Sequence, residues 1–136
     1  MPVLQGADLT QVNTTREPMP EGDYLVTVLE SEIQGEGKTL VLKTRIEEPS
    51  EFAGRQFWDY INLIQNDGKM NRISLEQIKR YIEAVYGKGS QEAEASSPDT
   101  DVLNGHNVRL YLIVDEFKDK TGETKKNNKV KKIFPA

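Results

Sequence analysis

The stretch NVRLYLIVDEFKDKTGETKKNNKVKKIF, residues 107–134, decides the architecture. In its first half Val108, Leu110, Leu112 and Val114 point one way, while Asn107, Arg109, Tyr111 and Ile113 point the other. A period of two is the signature of a strand with one buried face. Asp119-Lys120-Thr121-Gly122 has turn composition, so the chain reverses there. In the second half Val130 and Phe134 fall on one face, and Lys129, Lys131 and Ile133 on the other. The stretch therefore predicts two strands, 107–117 and 125–134, joined by a lysine-crowded hairpin turn.

Upstream the period changes. Leu75, Ile78, Ile82 and Val85 form a helical stripe, and Ser74 with Gln77 three residues later has capping-box spacing. A helix is predicted from about residue 74 to residue 86, stopped by Gly87 or Gly89. Three further strand-like runs precede it, at 23–33, 38–48 and 54–64. In the first, Tyr24, Val26 and Val28 alternate with Leu25, Thr27 and Leu29, so neither face is plainly wet. The second sets Leu40, Leu42, Thr44 and Ile46 against Val41, Lys43 and Arg45. In the third, Phe57, Ile61 and Leu63 share a face with Asp59, while Trp58, Tyr60 and Ile64 share the other. Only one of these faces can be the core. Phe57, Ile61 and Leu63 are assigned inward, because Trp and Tyr tolerate a wet edge better than Phe does.

Residues 1–22 show no sustained period and read as an irregular arm ending in the turn Pro20-Glu21-Gly22-Asp23. Residues 90–101 are rich in Ser, Glu, Ala, Pro and Asp, and read as a flexible acidic linker. The expected domain is 23–136. At 136 residues one domain can bury a core without metals or disulfides, and the absence of cysteine excludes both disulfides and thiolate metal sites. No run approaches a membrane span, and the N-terminus lacks the basic-then-apolar pattern of a signal peptide, so a cytoplasmic location without membrane contact is expected.

The predicted class is all-β with one helix, in the order β-β-β-α-β-β. That is the order of an OB-fold, a five-stranded Greek-key barrel that commonly binds oligonucleotides. Four motifs add a family resemblance: Pro20-Glu21-Gly22-Asp23-Tyr24, Gly54-Arg55-Gln56-Phe57-Trp58-Asp59-Tyr60-Ile61-Asn62-Leu63, Leu103-Asn104-Gly105-His106-Asn107-Val108 and Asn127-Asn128-Lys129-Val130-Lys131-Lys132. Together and in order they resemble a family of small bacteriophage-encoded, single-stranded DNA-binding-protein-like OB-fold proteins found among phage replication and recombination genes. The resemblance spans roughly residues 18–135. It implies single-stranded DNA as partner, with phage or host replication and recombination proteins as further partners. Members often end in an acidic tail, whereas this chain ends Lys131-Lys132-Ile133-Phe134-Pro135-Ala136.

The net charge of −4 does not itself suggest a nucleic-acid partner, but its distribution is uneven. Between residues 118 and 132 stand Lys118, Lys120, Lys125, Lys126, Lys129, Lys131 and Lys132 against only Asp119 and Glu123. A local field matters more to a polyanion than the average does. Lysines there would contact phosphates, aided by Lys43, Arg45, Arg55 and Arg109. The plain alternative is a solvated charged turn. Bases need flat faces to stack on, and Trp58, Tyr60 and Tyr111 are the candidates; Trp58 reads equally as a core residue. The single histidine, His106, is expected in a solvated loop. Glu47, Glu48, Glu51 and Asp59 match no acid–base or magnesium motif, so neither an enzyme nor a cofactor is expected. The rival function is a protein-interaction or virion-structural β-barrel that binds no nucleic acid.

Overall fold

The computed structural model describes residues 18–96 and 98–136, together with residues 3, 5 and 6. Five strands and one helix occur in the expected order: β1 Gly22–Gln34, β2 Thr39–Glu48, β3 Gln56–Asn62, α1 Arg72–Tyr86, β4 Asn107–Lys118 and β5 Thr124–Pro135. The strands form one antiparallel sheet in the order β3-β2-β1-β4-β5. β1 is shared, pairing with β4 through Gly22–Thr27 and with β2 through Leu25–Gln34. Register shifts at Leu25/Val26 and Val28/Glu30 bend it between the two partners.

The expected closed barrel is not completed. Among the described residues no ladder joins the edge strands β3 and β5. Part of the expected N-terminal arm lies against β5 instead. Pro18 and Pro20 have no N–H, so Met19 carries the one backbone donor of this tripeptide. Asn128 of β5 satisfies it: the Met19 N–H donates to Asn128 Oδ1 at 2.8 Å, and Asn128 Nδ2 donates to the Met19 carbonyl at 2.8 Å. The Met19 side chain is only 1% exposed and belongs to the core. The rest of the arm expected over 1–17, apart from residues 3, 5 and 6, lies outside the described residues.

The core follows the predicted alternation through most of the sheet. Tyr24, Val26, Val28, Leu40, Leu42, Ile46, Phe57, Ile61, Leu63, Val108, Leu110 and Leu112 are buried together. β5 departs from it. Leu112 pairs with Val130 and Tyr111 with Lys132, so Lys131 is an extra, unpaired residue. This bulge reverses the facing of the residues beyond it: Ile133 packs on the core, whereas Phe134, expected beside Val130, is exposed.

The helix starts earlier than predicted. Asn71 is its cap, accepting from the Ile73 N–H at 3.1 Å, and Ser74 is a buried residue of the first turn whose hydroxyl donates to the Asn62 carbonyl. Its buried face is Ser74, Ile78, Tyr81 and Ile82, while Leu75 of the expected stripe is exposed. Gln77 and Tyr81 both reach Asp59 of β3, donating to Oδ2 at 2.9 and 2.7 Å. Burial pushes the Asp59 carboxyl above its ordinary range, and these two hydrogen bonds oppose that shift. Tyr81→Phe removes one of them from a buried acid. It should cost about 1–3 kcal/mol, read as a lower urea midpoint. An unchanged midpoint would show that the bond contributes nothing.

Residues on either side of position 97 in the expected linker 90–101 make contacts with the rest of the fold. Ser90 Oγ accepts from the Ala93 N–H, Ala93 joins the core, and Glu94 pairs with Lys79 of α1 at 3.1 Å. A short 3-10 turn, Thr100–Leu103, then buries Leu103 beneath α1. Among the described residues no helix is long and apolar enough to cross a membrane.

Candidate nucleic-acid interface

A cleft of about 350 Å³ opens between the two edge strands. β3 contributes its residues from Gln56 to Tyr60, preceded by Arg55; β5 contributes Lys126, Asn127, Asn128 and Lys129; Pro18 and Met19 complete it. The side chains assigned outward in β3 do face outward. Tyr60 is 66% exposed and Trp58 half-buried, whereas Phe57, Asp59 and Ile61 are buried on the other face. Arg55 is placed by its backbone: its N–H donates to the Phe52 carbonyl at 3.1 Å, and its carbonyl accepts from the Ile46 N–H at 2.8 Å.

The cleft thus gathers Arg55, Trp58, Tyr60, Lys126 and Lys129. Lys43 and Arg45 adjoin it on β2, opposite Trp58 and Gln56 in the β2–β3 ladder. Other candidates lie elsewhere. Arg109 and Tyr111 are on the β1–β4–β5 part of the sheet, opposite Phe134 and Lys132. Lys118, Lys120 and Lys125 are at or beside the hairpin turn, and Lys131 lies beside Gln77 and Arg80 of α1. Pro18, Met19, Gln56, Asn127 and Asn128 line the cleft without having been singled out from the sequence. For Met19 a signal existed: an apolar residue held extended between two prolines.

The electrostatics differ from those expected of the sequence. The hairpin register sets acids of β4 beside lysines of β5. Lys126 lies 3.6 Å from Glu116, Lys129 lies 3.5 Å from Asp115, and Lys125 lies 3.2 Å from Asp119 in the turn. On the sheet face Lys43 lies 3.9 Å from Glu30, Arg45 lies 2.7 Å from Glu47 and Arg109 lies 3.9 Å from Glu48. The hairpin field is therefore weaker than a lysine count along the sequence suggests. These are solvent-exposed pairs, worth about 0–1 kcal/mol each, so a phosphate can displace the carboxylate partner. Arg45 and then Thr27 hydrogen-bond Glu47 and hold its carboxyl below the usual range. Glu47 points outward from β2 while Asp59 points inward from β3, so these acids do not converge on a common site.

Asp119 organises the turn. Its carboxylate accepts from the Thr121 hydroxyl at 2.6 Å and from the N–H groups of Thr121 and Glu123 at 2.9 and 3.1 Å. Together with Lys125 these bonds hold its pKa down at about 2, the Thr121 hydroxyl contributing most. A carboxyl depressed in the fold stabilises it above the unfolded value, about 3.9, and that stabilisation is lost as pH falls through about 2. Thr121→Val should raise the Asp119 pKa toward the unfolded value in an NMR carboxyl titration. An unmoved titration would assign the shift to the backbone donors and Lys125 instead.

No protein-family model matches the chain, and no curated protein matches it significantly.

Proposed function

We propose that the protein is an OB-fold-type binder of single-stranded DNA with little sequence preference, seating the strand in the cleft between β3 and β5. The observation that carries this reading is the convergence of Trp58, Tyr60, Arg55, Lys126 and Lys129 on that cleft. Exposed aromatic faces among cations are what non-specific single-strand binding requires. Each stacked base is worth about 1–3 kcal/mol, and the cations follow the backbone. A β1 shared between β2 and β4, with a helix between β3 and β4, supports the fold part of the proposal. From the family resemblance we propose that the activity serves phage DNA replication or recombination, in the host cytoplasm, alongside phage or host proteins of those processes.

The test uses the single tryptophan. Titrating oligo-dT should quench or shift Trp58 fluorescence saturably. The binding constant should fall with salt at a log–log slope of about −0.7 per phosphate contact. No association at low salt would end the DNA-binding reading. The rival, a protein-interaction or virion-structural barrel, draws support from the carboxylate partners of Lys125, Lys126 and Lys129, which leave a hairpin of mixed charge.

A further inference from the structure

The cations of the surface differ in their partners. Lys43, Arg45 and Arg109 on the sheet face and Lys125, Lys126 and Lys129 on the hairpin have carboxylates within 4 Å. Arg80, Lys88, Lys131 and Lys132, all exposed, have none among the described residues, as is true also of Lys38, Lys69, Arg72, Lys118 and Lys120; what sets the four apart is that they converge between α1 and β5. These four line two adjoining hollows between α1 and β5. The smaller includes Gln77, Arg80, Lys131 and Lys132; the larger, of about 420 Å³, includes Arg80, Lys88, Ile133 and Pro135. Arg80 and Ile133 belong to both, and among the described residues Glu83 is the one acid lining either.

The hollows also continue the cleft. Residues 126–129 of β5 line the cleft, 130–133 the smaller hollow, and Ile133 and Pro135 the larger. The three concavities therefore succeed one another along a strand whose outer edge joins no ladder among the described residues. From residue 126 to 135 an extended chain covers about 30 Å. The bulge at Lys131 adds a side chain that the ladder does not pair.

We propose that one single strand runs from the Trp58–Tyr60 cleft along the outer side of β5, past the Met19 contact at Asn128, to α1, where Arg80, Lys88, Lys131 and Lys132 hold its phosphates; this path rests on the cleft reading. Stacking anchors one end, and counterion release supplies affinity at the other. Val130, Ile133, Ala84 and Pro135 give this end apolar surface beside the cations, suited to sugars. A nucleic-acid strand fits better than an acidic peptide, because the cations succeed one another in line with the aromatic cleft.

The path predicts a dependence on length. Oligo-dT of about four and of about sixteen nucleotides bracket the site sizes of single OB domains. Both are titrated into the parent protein and into Arg80→Ala/Lys88→Ala/Lys131→Ala, whose fold is checked by circular dichroism. The variant should bind the short oligomer within about twofold of the parent. For the long one its salt slope should drop by about 2, at about 0.7 for each of three contacts. An unchanged slope for the long oligomer, or an equal loss for both lengths, overturns the path. If the parent binds both lengths with one affinity and one slope, the cleft reading stands and the path fails. If the parent binds neither, the cleft reading fails and takes the path with it. Competition by poly-glutamate as effective as by the long oligomer also overturns the path, since the surface would then recognise acidic protein.

Discussion

Met19→Ala is expected to lower the stability of the fold by about 2–5 kcal/mol, the range for truncating a buried Met, Leu or Ile. The residue lies three positions before β1, in a segment with the composition of a loop, yet its side chain is 1% exposed. Its backbone cannot readily move aside, because Asn128 holds both its N–H and its carbonyl. The adjoining Pro20 carbonyl is held by the Tyr24 hydroxyl, and Tyr24 in turn packs edge-on against Phe52. A shortened side chain at position 19 therefore leaves a cavity that the arm cannot close by sliding. Met19→Leu preserves volume and should cost less than about 1.5 kcal/mol. Urea denaturation of the three proteins reads both values. A Met19→Ala loss under about 1 kcal/mol would show that the arm is not part of the cooperative core. The same cavity would open beneath the cleft, so the short-oligomer affinity of Met19→Ala tests whether the arm shapes the binding floor.

The second large effect is on binding. Trp58→Ala and Tyr60→Ala should each weaken oligo-dT binding by roughly 5- to 150-fold, which is about 1–3 kcal/mol per stacked base. Tyr60 is 66% exposed, so its removal should change stability by no more than about 0.5 kcal/mol. Stacking displaces no counterions, so neither substitution should alter the salt slope. Fluorescence reads the Tyr60 variant; anisotropy of a labelled oligomer reads the Trp58 variant. Two variants that bind as the parent does would remove the aromatic anchor and leave the β3–β5 cleft without a role in DNA binding.

Features that depend on near neighbours were legible in the sequence. Val108, Leu110 and Leu112 alternate with Arg109 and Tyr111, and the pleat sends them to opposite faces whatever the rest of the chain does. The inward assignment of Phe57, Ile61 and Leu63 needed one further argument, that Trp58 and Tyr60 bear water better, and the burial pattern agrees with it. Local signals misled where a distant partner decided. Ser74 has the spacing of a cap, but its hydroxyl serves Asn62 while Asn71 caps the helix. Tyr81 is fully buried because Asp59 of β3 accepts its hydrogen bond, a pairing across 22 residues. Phe134 and Ile133 exchange faces because of a bulge that no periodicity announces.

The sequence by itself determined the order and type of the five strands and the helix, since these arise from side-chain period and amphipathicity; it favoured Trp58 and Tyr60 outward but left Trp58 open between surface and core, and the fold decided it. The tertiary structure alone decided three other things. The hairpin register placed Asp115 and Glu116 beside Lys129 and Lys126, so charge that looks concentrated along the chain is balanced across the ladder. The antiparallel order made β3 and β5 the two edges, and the bending of the sheet at β1 brought Arg55, Trp58 and Tyr60 to one cleft with Lys126 and Lys129. Asn128 placed Met19 in that cleft from 109 residues away. Each depends on contacts between residues far apart in the chain, and the period of a single segment carries no information about the partner it will meet.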